Sequence, residues 1–152
     1  MIQSYRNFIG KYKSQKIMNT KIFVNLPVLD LEKSKLFYQK IGFSINPQFT
    51  DQTAACVVIS DDIYAMILTH AKFKEFTPKA IADAHKTSEV LTALSMESKD
   101  KVDATMDAAL AAGGSEARSA QDLGFMYSRA FNDPDGHIWE LFWMDMSAVP
   151  QG

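Results

Sequence analysis

At 152 residues, with 47% hydrophobic, 22% charged and 11% aromatic side chains, the chain has the make-up of one ordinary globular domain, or of two small modules sharing a core. Sixteen basic against eighteen acidic residues leave a net charge of −2, without the cationic surplus that binding a phosphate backbone requires, so no nucleic-acid partner is expected. The apolar runs fall short of the ~20 residues of a membrane helix, and a lone cysteine, Cys56, excludes an internal disulfide and suits a reducing, cytoplasmic setting.

Residues 1–16 carry four basic and no acidic side chains, have no apolar run of signal-peptide length, and differ from everything after them. Met18 stands just ahead of the first strand pattern and reads as an alternative start. Residues 1–19 are therefore expected to be a disordered, dispensable extension, with folding beginning at Thr20 or Lys21.

From there the pattern is a strand at residues 21–28, an N-cap at Asp30, a helix over residues 31–41 and a stop at Gly42. Strands at 43–49, 54–59 and 64–70 follow. Residues 71–89 connect two halves and are too long for a plain connection. They hold Phe73 and Phe76, and Thr77-Pro78 ahead of a short helix predicted over 79–84. This segment reads equally as a lid over a pocket or as a cover packed on the seam. The order then repeats: a strand at 90–96, Ser98 as N-cap, a helix over 99–112 closed by Gly113-Gly114, a weak strand at 116–120, and strong strands at 125–131 and 138–144. Sliding one half on the other by 73 residues sets Ser60-Asp61-Asp62 on Asp133-Pro134-Asp135 and Ile67 on Glu140. The expected fold class is α+β, with two βαβββ modules (20–70 and 90–146) forming a curled mixed-sheet cup with helices outside, and a tail at 147–152.

The run Phe23-Val24-Asn25-Leu26-Pro27-Val28-x-Asp30-x3-Ser34-x2-Phe37-Tyr38-x3-Gly42-Phe43 resembles the first module of the vicinal oxygen chelate superfamily. Phe131-x-Asp133-Pro134-Asp135-Gly136-His137-x-Trp139-Glu140 resembles the end of its second. That superfamily includes glyoxalase I (lactoylglutathione lyase), fosfomycin and bleomycin resistance proteins, and extradiol dioxygenases. In its metal enzymes four inward side chains hold a divalent metal that binds two vicinal substrate oxygens. Carried onto this chain, those positions fall on Phe23, on Ile67, on Leu91 or Leu94, and on Glu140. One carboxylate among apolar side chains implies the fold without the chelate, so no cofactor is expected and a divalent metal enters only under the enzymatic alternative. His70, His85 and His137 read as structural or solvated.

Strand alternation gives the expected lining of the cup: Phe23, Asn25 and Pro27; Ala65, Ile67 and Thr69; Leu91, Ala93 and Ser95; Met126, Ser128 and Ala130; Ile138, Glu140 and Phe142. The implied function is metal-independent binding of a small apolar ligand. The alternatives are a lactoylglutathione lyase-like or dioxygenase-like enzyme with an unconventional site, or a non-catalytic structural dimer. The resemblance places Thr69 at a position that touches the thiol cofactor in glyoxalase I, but Pro27 replaces the arginine expected beside it. Glu140 is the candidate catalytic residue, as a proton donor or acceptor. Its alternative role is structural, accepting hydrogen bonds from Asn25, Ser128 or water, or pairing with an arginine. A homodimer is expected, with Trp143 and residues 73–76 as candidate surface.

Overall fold

The computed structural model describes residues 20–148. The expected extension, residues 1–19, and residues 149–152 of the tail lie outside that range. Strand β1 (Ile22–Val28) leads through the N-cap Asp30, whose carboxylate accepts the Lys33 amide, into α1 (Leu31–Lys40). Strands β2 (Ser44–Asn46), β3 (Ala54–Val58) and β4 (Ile63–Thr69) complete the first module. The second module is β5 (Thr92–Ser95), a long helix capped by Ser98, β6 (Ser115–Asp122), β7 (Met126–Asn132) and β8 (Ile138–Met144). The two mixed four-stranded sheets have the same order, β1-β4-β3-β2 and β5-β8-β7-β6, with a parallel pair at β1–β4 and β5–β8. The expected α+β architecture of two βαβββ modules is the one observed.

Local chemistry moves three boundaries. The strand expected over 43–49 stops at Asn46, because Pro47 starts a 3-10 turn that the Asn46 side chain caps through the Gln48 amide. No helix forms over 79–84. The short connecting helix is instead α2 (His70–Lys74), where Thr69 Oγ1 accepts the Lys72 amide at the end of β4. A capped start held by a strand overcomes the nucleation cost that six residues at 79–84 must meet alone. The weak strand expected at 116–120 is eight residues long and irregular, with register breaks on either side of Arg118.

The core lies between the two sheets. Leu26, Val28, Ala65 and Ile67 on the back of the first sheet share one cluster with Trp139, Leu141 and Phe131 on the back of the second. Both helices are inside it: Phe37 and Tyr38 from α1, Val102 and Met106 from α3 (Lys99–Ala111). Phe37 meets Phe131 at 5.9 Å between ring centroids and Tyr38 meets Trp139 edge-on at 5.8 Å.

A polar chain runs through this apolar layer. Trp139 Nε1 donates to Tyr38 Oη at 3.2 Å, and Tyr38 Oη donates to Asp133 Oδ2 at 2.5 Å. Burial, reinforced by the Asp133 carboxylate, raises the Tyr38 pKa well above the phenol range and keeps the donor proton in place. Burial also pushes the Asp133 carboxyl upward, against the opposing pull of His137. Asp133 Oδ1 accepts the Asp135 and His137 amides, so the whole Asp133-Pro134-Asp135-Gly136 turn is organised around this carboxylate. Asp135 then reaches back to the first module, accepting from the Leu29 amide at 2.7 Å and from the buried Ser34 hydroxyl at 2.8 Å. His137 Nε2 donates to the Pro27 carbonyl at 2.8 Å, completing a hydrogen-bonded seam between the modules.

Two outcomes follow for urea unfolding. Tyr38→Phe strands Asp133 Oδ2 and the Trp139 indole in the core, and should cost about 1–3 kcal/mol with an unchanged m-value. Gly136 has φ +92°, and a Cβ there would lie 2.7 Å from the His85 amide nitrogen and 2.8 Å from the Ala84 carbonyl carbon. Gly136→Ala should therefore lift the connecting segment from the turn and destabilise by about 1–3 kcal/mol, whereas the same change at exposed Gly124, with no neighbour within 4 Å, should cost less.

Candidate functional site

Because the backs of both sheets and both helices share one core, the opposite faces are open and point away from each other. On the first open face the register sets Phe23, Asn25 and Pro27 beside Tyr64, Met66 and Leu68. Phe23 is 48% exposed and stacks on Tyr64 at 4.6 Å. The Asn25 side-chain amide donates to the Phe23 carbonyl.

Ile67 lies on the other face. It is fully buried beside Leu26 against the helices, and Ala65 is buried with it. Thr69 ends β4 as the α2 cap. The predicted lining of this strand is corrected by one residue, and the reason is visible in the turns. The closing bond of the first module is Ile59 N–Ile63 O and that of the second is Asp133 N–His137 O, a displacement of 74 rather than 73. A slip of one residue turns a whole strand over, so Glu140 corresponds to Met66.

The second open face follows the predicted alternation. Ala93 pairs with Glu140 and Ser95 with Phe142, while Ser128 stands opposite Phe142 and Met126 opposite Met144. Leu91, just before β5, is 52% exposed. Glu140 is not stranded among apolar groups. Arg118 Nε and Nη2 donate to its Oε1 at 3.3 and 3.1 Å, and Nη2 also donates to the buried Ser128 hydroxyl at 3.1 Å. Of the structural roles open to Glu140, pairing with an arginine is the one the geometry shows. Arg118 escaped the sequence reading because it sits on the irregular β6, where alternation cannot be counted; its register opposite Ala130, next to Glu140, comes only from strand pairing.

Within one chain these residues form two half-sites rather than one cup: Phe23 and Asn25 on one face, Leu91, Met126, Ser128, Glu140 and Phe142 on the other. Trp143 is not on the open face either. It lies on the helix side beside Tyr127, with the Lys99 ammonium 5.6 Å from its ring centroid.

The superfamily's metal does not fit this donor set. Phe23, Met66 and Leu91 offer no oxygen or nitrogen ligand, and the single carboxylate at these positions, Glu140, is already paired with a guanidinium through Oε1. Elsewhere, His70, His85 and His137 all border one cleft of about 590 Å³ between the connecting segment, the start of α1 and the Asp133–Gly136 turn. Among the described residues, no group of three or more His, Cys, Asp or Glu side chains is arranged to hold a metal ion. No helix among them is long and apolar enough to cross a membrane.

Residues 20–60 match the family model of the bleomycin resistance protein-like N-terminal domain. No curated protein sequence matches the chain. Among solved structures, a hypothetical protein from S. aureus is similar at 27% identity and TM-score 0.70, over 85% of this chain and 96% of that one. A glyoxalase-related enzyme from Fulvimarina pelagi is similar at 23% identity and TM-score 0.70, over 89% and 94%. A fosfomycin resistance protein from Mesorhizobium loti shares the fold at 15% identity and TM-score 0.63, over 86% and 97%. Residues 20–60 are thus similar to the bleomycin resistance protein-like N-terminal domain, and the chain shares its fold along most of its length with structures of glyoxalase-related and fosfomycin resistance proteins.

Proposed function

We propose that this protein binds a small, largely apolar ligand without a metal, in a cup assembled from two copies of the chain. The first open face of one copy closes on the second open face of the other. The observation that carries this reading is the back-to-back packing of the modules, which leaves each half-site uncovered. Ile22, Phe23, Val90 and Leu91, all at or beside the open faces or the outer strands β1 and β5, are 48–60% exposed. Among the described residues strands β1 and β5 also keep one unpaired edge each, the kind of surface that a second copy covers. A pocket closed in this way is lined by Phe23, Met66, Met126, Ile138 and Phe142, with Asn25 and the Arg118–Glu140–Ser128 cluster as its polar groups, the balance typical of small-molecule sites. The lyase-like and dioxygenase-like alternatives need a metal that this donor set does not suit.

Light scattering at micromolar concentration should give twice the 17.0 kDa chain mass. Leu91→Lys alters an exposed side chain, so the fold should stay within about 0.5 kcal/mol of the parent. If the face closes on a second copy, the same variant should be monomeric. A monomeric parent, or a dimer indifferent to Leu91→Lys, overturns the two-copy cup.

The metal-free reading has its own test. Dialysed protein incubated with zinc, nickel, manganese or iron should retain far less than one equivalent per chain. Stoichiometric metal that disappears in Glu140→Gln would place a metal in the cup and overturn it.

A further inference from the structure

The polar cluster on the second open face is closed on itself in charge and incomplete in hydrogen bonding. Arg118 Nε and Nη2 converge on one oxygen of Glu140, Oε1. Nη2 also holds Ser128, and Nη1 donates to the Ser119 carbonyl at 3.3 Å. Glu140 Oε2 has no hydrogen-bond partner among the described residues, and one of the two Nη1 protons is left over. The side chains are 33% and 25% exposed, so the pair is open to a ligand lying on the sheet.

We propose that the Arg118–Glu140 pair selects an uncharged polar group (an alcohol, phenol or amide) on an otherwise apolar ligand. The pair has no net charge, and what it has left to offer is one acceptor, Oε2, and one donor, on Nη1. A hydroxyl or amide can use both. A ligand carboxylate is drawn to Arg118 but lies against Glu140, and a ligand ammonium meets the reverse. Either ion must give up its hydration for a site whose own charges are already spent on each other. The surrounding Leu91, Met126, Ile138 and Phe142 suit an apolar body and offer a charged head no further partner. The guanidinium thus supplies the positive charge that balances the cup's carboxylate, and that charge is a fixed part of the chain. This inference rests on the ligand-binding reading above, and adds the class of head group.

The test uses three ligands with one ring: benzyl alcohol, benzoate and benzylamine, the last an ammonium at pH 7. Binding to the full-length chain is read from the amide shifts of Ser128, Ala130 and Phe142 in ¹H–¹⁵N correlation spectra. The alcohol should bind the parent protein about fivefold or more tighter than either ion. Arg118→Met leaves Glu140 unbalanced and should turn the ranking to benzylamine, and Glu140→Gln leaves Arg118 unbalanced and should turn it to benzoate, each by about tenfold. The exchanged pair, Arg118→Glu with Glu140→Arg, should restore preference for the alcohol, and keeps the test decisive if a single variant fails to fold. A ranking that ignores charge, a ranking unchanged in the variants, or no shift of these amides with any of the three overturns the proposal. Light scattering on the same samples separates the two readings. A monomer whose ranking follows the charges keeps the recognition and loses the two-copy cup, whereas a dimer with a charge-blind ranking keeps the cup and loses the recognition.

Discussion

The hydrogen-bonded line from the Trp139 indole through the Tyr38 hydroxyl to the Asp133 carboxylate sets the arrangement of everything else. Three polar groups from both modules are buried together, and each hydrogen bond of the line crosses from one module to the other. Leaving any of them unpaired in an apolar layer costs more than a surface contact returns, so the two modules are held with their helix faces inward. Asp133 also organises the turn from which Asp135 grips the Leu29 amide and Ser34, tying the start of α1 to the second module. The Asp133-Pro134-Asp135-Gly136 turn is thus an inter-module fastening.

The functional geometry is a consequence of that fastening. Once the backs of the sheets are committed to a shared core, their other faces must look outward, and residues that belong to one cup in strand alternation end on opposite sides of the chain. A second copy can bring such faces together without rearranging either module, which connects the buried tie to the site through symmetry. The same logic governs the charges. Glu140 on an otherwise apolar sheet face would be costly alone, and Arg118 from the irregular β6 answers it locally. The pair therefore leaves this face without net charge, with one carboxylate oxygen and one guanidinium proton unused.

Where prediction and structure part, the differences are small in sequence and large in consequence. The internal repeat was legible from the strand–helix–strand order and the two caps, Asp30 and Ser98, both of which act as caps. The alignment of its last strands slipped by one residue at a turn where Ser60-Asp61-Asp62 can be laid on the second module's turn in two ways. That slip moved Ile67 from the core to the cup, because strand faces alternate at every residue. The helix expected over 79–84 had a start signal but no element to hold it, and the Thr69 cap at a strand end took its place.

By itself, the sequence determined what depends on neighbours along the chain: the strand and helix order, the caps, the turn built on Asp133, the repeat, and the apolar residues at all but one of the positions where the resemblance puts metal ligands. It also determined the open face of the second module, where Glu140, Phe142, Ser128 and Met126 alternate on regular strands without a break. Only the tertiary structure decided which partner Glu140 takes, which face of β4 looks outward, and that the half-sites of one chain do not meet. These depend on strand register across an irregular pair and on the packing of one module against the other. Such contacts join residues tens of positions apart, Tyr38 with Asp133 and Arg118 with Glu140, and no local periodicity carries their address.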